Sequence, residues 1–301
     1  VTLTTEPHGK VGPTTGPTGG GPRRVPTAWL VGALPVAVMA ILVVYPVVLL
    51  ISNAVEDGSG RFSGAEWRVL FGNPVFLDTI ATTVRVAAIA TVGCIVVGTF
   101  LAIVIAYVPF RGARVVIAAL NVYLSFPSFL ITLALVFIWG NVGIVNGALS
   151  TASGGTAPPI HLLDTQWGVI LAEVTYFTPF VVRPVLSALE VMDRSQVEVA
   201  ESLGAGPARI VRTLILPEIA PALLAGGALV LMRTMNEFGI VLFAGAKDVT
   251  TLPTLVYSQA ISRGNYQVAA IAALVNIVLS LGLYLLYRQI TARALGGNRA
   301  R

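Results

Sequence analysis

The chain has 301 residues, 55% of them hydrophobic and 11% charged, with a formal net charge of +5. Soluble domains carry about 25% charged residues, so this composition excludes an ordinary soluble fold and is better counted in membrane spans. A single cysteine, Cys94, excludes an intrachain disulfide and a cysteine metal cluster, and no basic run interleaved with aromatics supports a nucleic-acid partner.

Residues 1–26 are rich in Gly, Pro and Thr and predict a disordered tail. Val1 in place of Met is expected of an alternative start codon or a trimmed chain. Arg23-Arg24 before an apolar run has the look of an export signal. The stretch that follows, Ala28 to Ile51, is too long for a signal core of about 7–15 residues and fits a spanning helix of about 20. Residues 27–76 therefore hold the first transmembrane helix and an external loop. Five further apolar segments, at 77–108, 115–139, 167–189, 220–244 and 268–287, lie within a transmembrane core over 77–290, and 291–301 form a C-terminal tail. None shows the alternation of a membrane β-barrel, so the expected fold is all-α with six transmembrane helices. Pro35 and Pro46 in the first helix, Pro127 in the third, and Pro179 and Pro184 in the fourth predict kinks. Trp29, Trp67, Trp139 and Trp167 lie near segment ends and read as interface anchors.

Orientation follows from the basic residues. Thirteen of the 19 Lys and Arg fall in the N-terminal tail, the loop after the second helix, the loop after the fourth (Arg183, Arg194, Arg209, Arg212) and the C-terminus. Arg61, Arg68, Lys247 and Arg263 lie on the other side, and Arg85 and Arg233 lie within helices. The richer side is expected to be cytoplasmic, which puts both termini of this multi-pass cell-membrane protein in the cytoplasm.

The long loop between the fourth and fifth segments carries the most specific pattern. Ser195 to Leu203 reads as a helix, Gly204 suits a left-handed C-terminal position, and Pro207 suits the first turn of a second helix that stops near Pro217. Two short helices on a tight turn make a rigid elbow, which docks on a partner without a large ordering cost. Within it stand Glu198-Val199-Ala200, three residues, Gly204, nine residues and Leu214-Ile215-Leu216-Pro217. This spacing resembles the Glu-Ala-Ala, three residues, Gly, nine residues, Ile-x-Leu-Pro pattern of the permeases of binding-protein-dependent ABC importers, with Val199 for Ala and Leu214 for Ile. The resemblance covers about residues 75–290. It implies that the elbow is a coupling helix docked on an ATP-binding cassette ATPase subunit. Glu198, Ala200, Glu201, Leu203, Gly204 and Ala205 would then make the contact, and Leu216-Pro217 would hold its base. It also implies a second permease subunit, identical or homologous, and an external substrate-binding protein. The chain contains no Gly-x-x-x-x-Gly-Lys-Ser/Thr phosphate loop, so ATP hydrolysis is expected of a partner and this chain is not itself an enzyme.

Charged residues inside apolar segments each cost about 2.5–3.5 kcal/mol at a membrane centre and need a partner or a wet cavity. Arg233 and Glu237 are four apart and can face one another, either as a structural ion pair or as lining of the translocation pathway with Asn236. Glu173, beside Thr175 and Tyr176, either hydrogen-bonds a neighbouring helix or joins that lining together with Tyr176. Arg85 is expected to snorkel. His8 and His161 read as solvated residues, and neither a metal nor a cofactor is expected. The run from Asn236 to Ser258, with Glu237-Phe238-Gly239, looks most like 2-aminoethylphosphonate permeases, and beyond them resembles permeases for sulfate, ferric iron and polyamines. A stand-alone secondary transporter would instead show repeated halves with paired broken helices, and no repeat is evident. An intramembrane enzyme would need a metal or nucleophile constellation in its spans, such as His-Glu-x-x-His, which is absent.

Overall fold

The computed structural model describes residues 27–56, 61–108, 110–155, 158–246 and 249–298. The tail over 1–26, Lys247, Arg299 and Arg301 lie outside them. The described residues are helical apart from loops and one isolated bridge between Glu56 and Phe62. In chain order the helices are α1 (Thr27–Val55), α2 (Ala65–Phe71), α3 (Pro74–Tyr107), α4 (Ala113–Tyr123), α5 (Ser128–Trp139), α6 (Ile144–Ser153) and α7 (Gln166–Phe177). They continue as α8 (Pro179–Val191), α9 (Arg194–Ser202), α10 (Pro207–Ile210), α11 (Leu216–Met235), α12 (Gly239–Ala244), α13 (Leu252–Tyr257) and α14 (Tyr266–Asn298). Six helical stretches are long and apolar enough to cross a membrane: Ala33–Val55, Pro74–Tyr107, Ser128–Ser153, Gln166–Val191, Pro207–Met235 and Tyr266–Arg293.

The chain divides into two units, residues 1–49 and 50–301. The first holds α1 up to Leu49, and the helix runs through Pro35 and Pro46 without a break and is apolar in sequence all round, as a helix in lipid is.

In the second unit, α3, α8 and α11 pack together around Val181, Val182, Val185, Ile219, Val230 and Cys94. A membrane offers little hydrophobic drive between helices, so close packing of small residues takes its place. At Gly227 of α11 a Cβ would collide with the Tyr287 hydroxyl of α14 and stand 2.8 Å from Ile95 Cδ1 of α3. Three helices therefore meet at one hydrogen atom.

Several boundaries differ from the sequence expectation. The third apolar stretch is not one helix. It breaks between Tyr123 and Ser128, where Pro127 has no N–H to give and its predecessor avoids helical geometry. The fifth stretch begins at Pro207, ends at Met235 and resumes only at Gly239. The elbow's second helix does not stop near Pro217. A π-helical turn over Val211–Ile215 carries it into α11, with Leu216 N–H donating to Val211 O, and this widened turn accommodates the proline. Arg183, counted with a loop, lies inside α8. Residues 291–298, expected as tail, continue α14 because nothing from Arg288 to Leu295 breaks a helix.

Candidate functional site

The elbow is built by local chemistry. Asp193 caps α9 by accepting from Ser195 N–H at 2.9 Å, and Ser195 holds its carboxyl below the usual range. At the other end Ala205 N–H donates to Ala200 O at 3.0 Å and Gly204 N–H donates to Glu201 O at 2.8 Å. This pair of bonds is a Schellman closure, and it requires the left-handed φ of +80° that Gly204 supplies. Pro207 is the first residue of α10.

The predicted elbow residues then separate. Glu198, Glu201, Leu203 and Gly204 face outward, and Leu203 is 83% exposed although it is apolar. Ala200, Ala205 and Leu216 turn inward and pack on the buried core, while Pro217 remains exposed. An exposed leucine held on a rigid turn can meet another protein with little ordering cost.

The predicted pathway residues meet where two helices are interrupted. One interruption is the break before α5, the other the Asn236–Phe238 turn between α11 and α12. Ser128 Oγ–H, the first hydroxyl of α5, donates to Glu237 Oε1 at 2.9 Å, and Ile240 N–H donates to the same oxygen at 2.9 Å. Glu237 therefore ties the two breaks together and caps the start of α12. Asn236 donates to Met232 O at 2.8 Å and accepts from Asn276 Nδ2 of α14 at 3.0 Å.

Arg233 and Glu237 do not form the ion pair that their spacing allowed. The four-residue rule holds only along a continuous helix, and α11 has ended at Met235 before Glu237 is reached. The Arg233 guanidinium instead lies over the Phe180 ring of α8, 5.3 Å from its centroid, and the side chain is exposed.

Tyr176 enters through a reciprocal arrangement with Tyr123. Pro179 has no N–H, so Thr175 O of α7 lacks its helical donor, and Tyr123 O–H supplies one at 3.2 Å. In return Tyr176 O–H donates to Phe126 O at 3.2 Å, in the break before Pro127. The two rings lie 6.1 Å apart. Each tyrosine satisfies backbone that a proline left open on the other's segment.

Glu173 is 1% exposed on α7, and neither carboxyl oxygen has a hydrogen-bond partner among the described residues. The bond to a neighbouring helix that the sequence allowed is not made. Arg85 is exposed and donates to Thr82 Oγ1 at 3.2 Å. Among the described residues no group of three His, Cys, Asp or Glu could hold a metal ion.

Comparison with known proteins now decides the class. The family described as "Binding-protein-dependent transport system inner membrane component" matches residues 95–295. A relative from Salmonella paratyphi A, the PhnU permease protein named for a 2-aminoethylphosphonate transport system, is 43% identical over 268 residues, covering 89% of this chain and 92% of the relative. The chain belongs to this transport family. The cysT permease of Chlorokybus atmophyticus, named for sulfate transport, is 29% identical over 84% of this chain and 85% of its own length. The fold is shared with a chain of the bacterial alginate ABC transporter crystallised with an alginate pentasaccharide-bound periplasmic protein. That match has a TM-score of 0.73 at 19% identity and covers 89% of this chain and 95% of the other.

In this binding-protein-dependent transport permease the structure also brings forward residues that sequence reasoning passed over. Ser128, Phe180 and Asn276 contact Glu237, Arg233 and Asn236, and the Tyr123 ring meets the Tyr176 ring. Asn276 carried a usable signal, since a lone Asn in an apolar span needs a partner. Ser128 follows Pro127 directly, where a freed helix start attracts polar groups. Phe180 carried none, because an aromatic in a span is ordinary.

Proposed function

We propose that this permease imports 2-aminoethylphosphonate, received from an external binding protein, through a pathway shared with a second permease subunit. ATP is hydrolysed by cassette subunits that dock on the α9–α10 elbow, and both termini lie in the cytoplasm. The elbow residues Glu198, Glu201, Leu203 and Gly204 form the docking face, while Ala200, Ala205 and Leu216 hold it against the bundle and Pro217 stands exposed at its base.

The observation that carries the substrate reading is the separation of Arg233 from Glu237. A salt-bridged pair would be neutralised and closed to solutes. Here the guanidinium is exposed on Phe180, with no acidic partner among the described residues, and Glu237 sits at an interrupted helix. A zwitterion carrying a phosphonate and an ammonium matches both, because charge-assisted hydrogen bonds suit each end. Arg233 would meet the phosphonate and Glu237 the ammonium, with Asn236 and Tyr176 along the same polar track. The relative named for the same solute supports this choice.

The test is uptake of labelled 2-aminoethylphosphonate by cells making the complete transporter, with sulfate, ferric iron and spermidine as competitors. Uptake of a competitor without the phosphonate rejects the solute and leaves the permease class standing. Exchanging the charges, Arg233→Glu with Glu237→Arg, is expected to abolish uptake with normal insertion, since the two do not compensate one another in place.

A further inference from the structure

Among the buried polar groups without a hydrogen-bond partner in the described residues, Glu173 is the carboxyl group. Burying a carboxyl group without a partner is unfavourable in either protonation state, and more so in a membrane. Native structures tolerate such a group chiefly where it works. Among the described residues nothing on the neighbouring elements gives it a hydrogen bond. Facing α7 from α3 is Cys94, whose Sγ–H is directed at Val174 O at 3.8 Å. The segment α12 contributes Gly239 to Ala244, with no ionisable side chain. From α11 Arg233 turns to Phe180, and the charged side chain near enough to act on Glu173 is Glu237, a second acid.

Its location is equally specific. Glu173 lies one helical turn before Tyr176, which holds the break at Phe126, and Ser128 of that break holds Glu237. Two carboxyl groups, one on α7 and one in the turn after α11, thus stand at the junction of two interrupted helices, with an exposed guanidinium nearby. A pair of acids with no cation of its own is a place for a cation to come.

We propose that Glu173 is the cation-selecting residue of the pathway. Together with Glu237 it takes the ammonium end of the solute when the transport cycle opens the face of α7 that buries it. This rests on the aminophosphonate reading and adds to it the group that separates an aminophosphonate from a plain oxyanion. A guanidinium alone accepts phosphonate, sulfate and phosphate alike. A buried acid that is satisfied only by an ammonium discriminates strongly, because solutes without one leave it unpaired.

The experiment uses the complete transporter with its binding protein in proteoliposomes. It measures 2-aminoethylphosphonate molecules imported per ATP hydrolysed for wild type, Glu173→Gln, Glu173→Asp and Glu173→Met, together with the Tm of each. Glu173→Gln is expected to lower the ratio about tenfold or more, as loss of a charge-assisted bond does. Glu173→Asp should regain much of it. Glu173→Met, which removes the unpartnered group at similar volume, should raise Tm by about 2–4 °C while failing to import. A wild-type ratio in Glu173→Gln overturns the assignment. So does a parallel fall of import and hydrolysis that leaves the ratio unchanged, or a lower Tm in Glu173→Met. The substrate reading fails separately. If wild type imports spermidine and not the phosphonate, and Glu173→Gln loses that import, the cation subsite stands and the phosphonate does not. Wild-type import of sulfate alone overturns both.

Discussion

Gly227 offers a quantitative test of how the bundle is packed. Helix propensity alone favours Gly227→Ala by about 1 kcal/mol. Against that, the new Cβ collides with the Tyr287 hydroxyl and stands 2.8 Å from Ile95 Cδ1. Overpacking of this kind costs about 1–3 kcal/mol, so Gly227→Ala should destabilise by about 1 kcal/mol net and lower Tm by about 2–4 °C. The two obstacles differ in how they can yield. Ile95 Cδ1 is the end of a flexible chain and can rotate away. The Tyr287 hydroxyl is fixed by its ring and is itself buried without a hydrogen-bond partner among the described residues. Tyr287→Phe should therefore be neutral or stabilising by up to about 1 kcal/mol, since it deletes an unsatisfied polar atom. In the Tyr287→Phe background, Gly227→Ala should no longer destabilise. A double-mutant cycle read by thermal unfolding of the detergent-solubilised transporter should give a coupling of about 1–2 kcal/mol. Strict additivity, or a clear loss of stability in Tyr287→Phe alone, would refute the packing argument.

The elbow yields a second expectation. Leu203→Asp should leave the permease inserted and folded, because the side chain is exposed, while co-purification of the ATPase subunit falls. Unchanged co-purification and uptake would remove Leu203 from the docking face. Glu198→Arg is expected to act in the same direction by reversing a charge on that face. For topology, single cysteines at Gly154 and Gly297 in a Cys94→Ala background should react with an impermeant maleimide from opposite sides of the membrane. Reaction of both from outside would sink the cytoplasmic placement of the termini. Tyr123→Phe leaves the Thr175 carbonyl without its donor and should cost about 1 kcal/mol of stability; an unchanged Tm would show that the carbonyl finds another donor.

Much of this protein was legible from its residues in order. Hydropathy accumulates over about 20 consecutive positions, and helices must satisfy their own backbone in lipid, so the membrane class and the six spans needed no tertiary information. The elbow was legible too, because Gly204 and Pro207 act through local backbone geometry, and its spacing is a short-range property. Even there, the end near Pro217 was misjudged. A proline signals a break, and only the π turn before it shows that the helix continues.

What the tertiary structure alone decided concerns partners far apart in the chain. Glu237 meets Ser128 across 109 positions, and Asn236 meets Asn276 across 40. Arg233 and Glu237 looked like a pair because a four-residue spacing brings side chains together on an unbroken helix. The helix ends between them, and the bonds that hold Glu237 and Asn236 beyond that end come from Ser128 and Asn276 on distant segments. Glu173 shows the same limit from the other side. Its sequence neighbours offered hydrogen-bonding groups, yet Tyr176 is committed to Phe126 and Thr175 Oγ1 donates to Leu171 O, which leaves the acid alone. Isolation of a charged group is a property of everything that surrounds it, and a linear sequence cannot express what surrounds a residue.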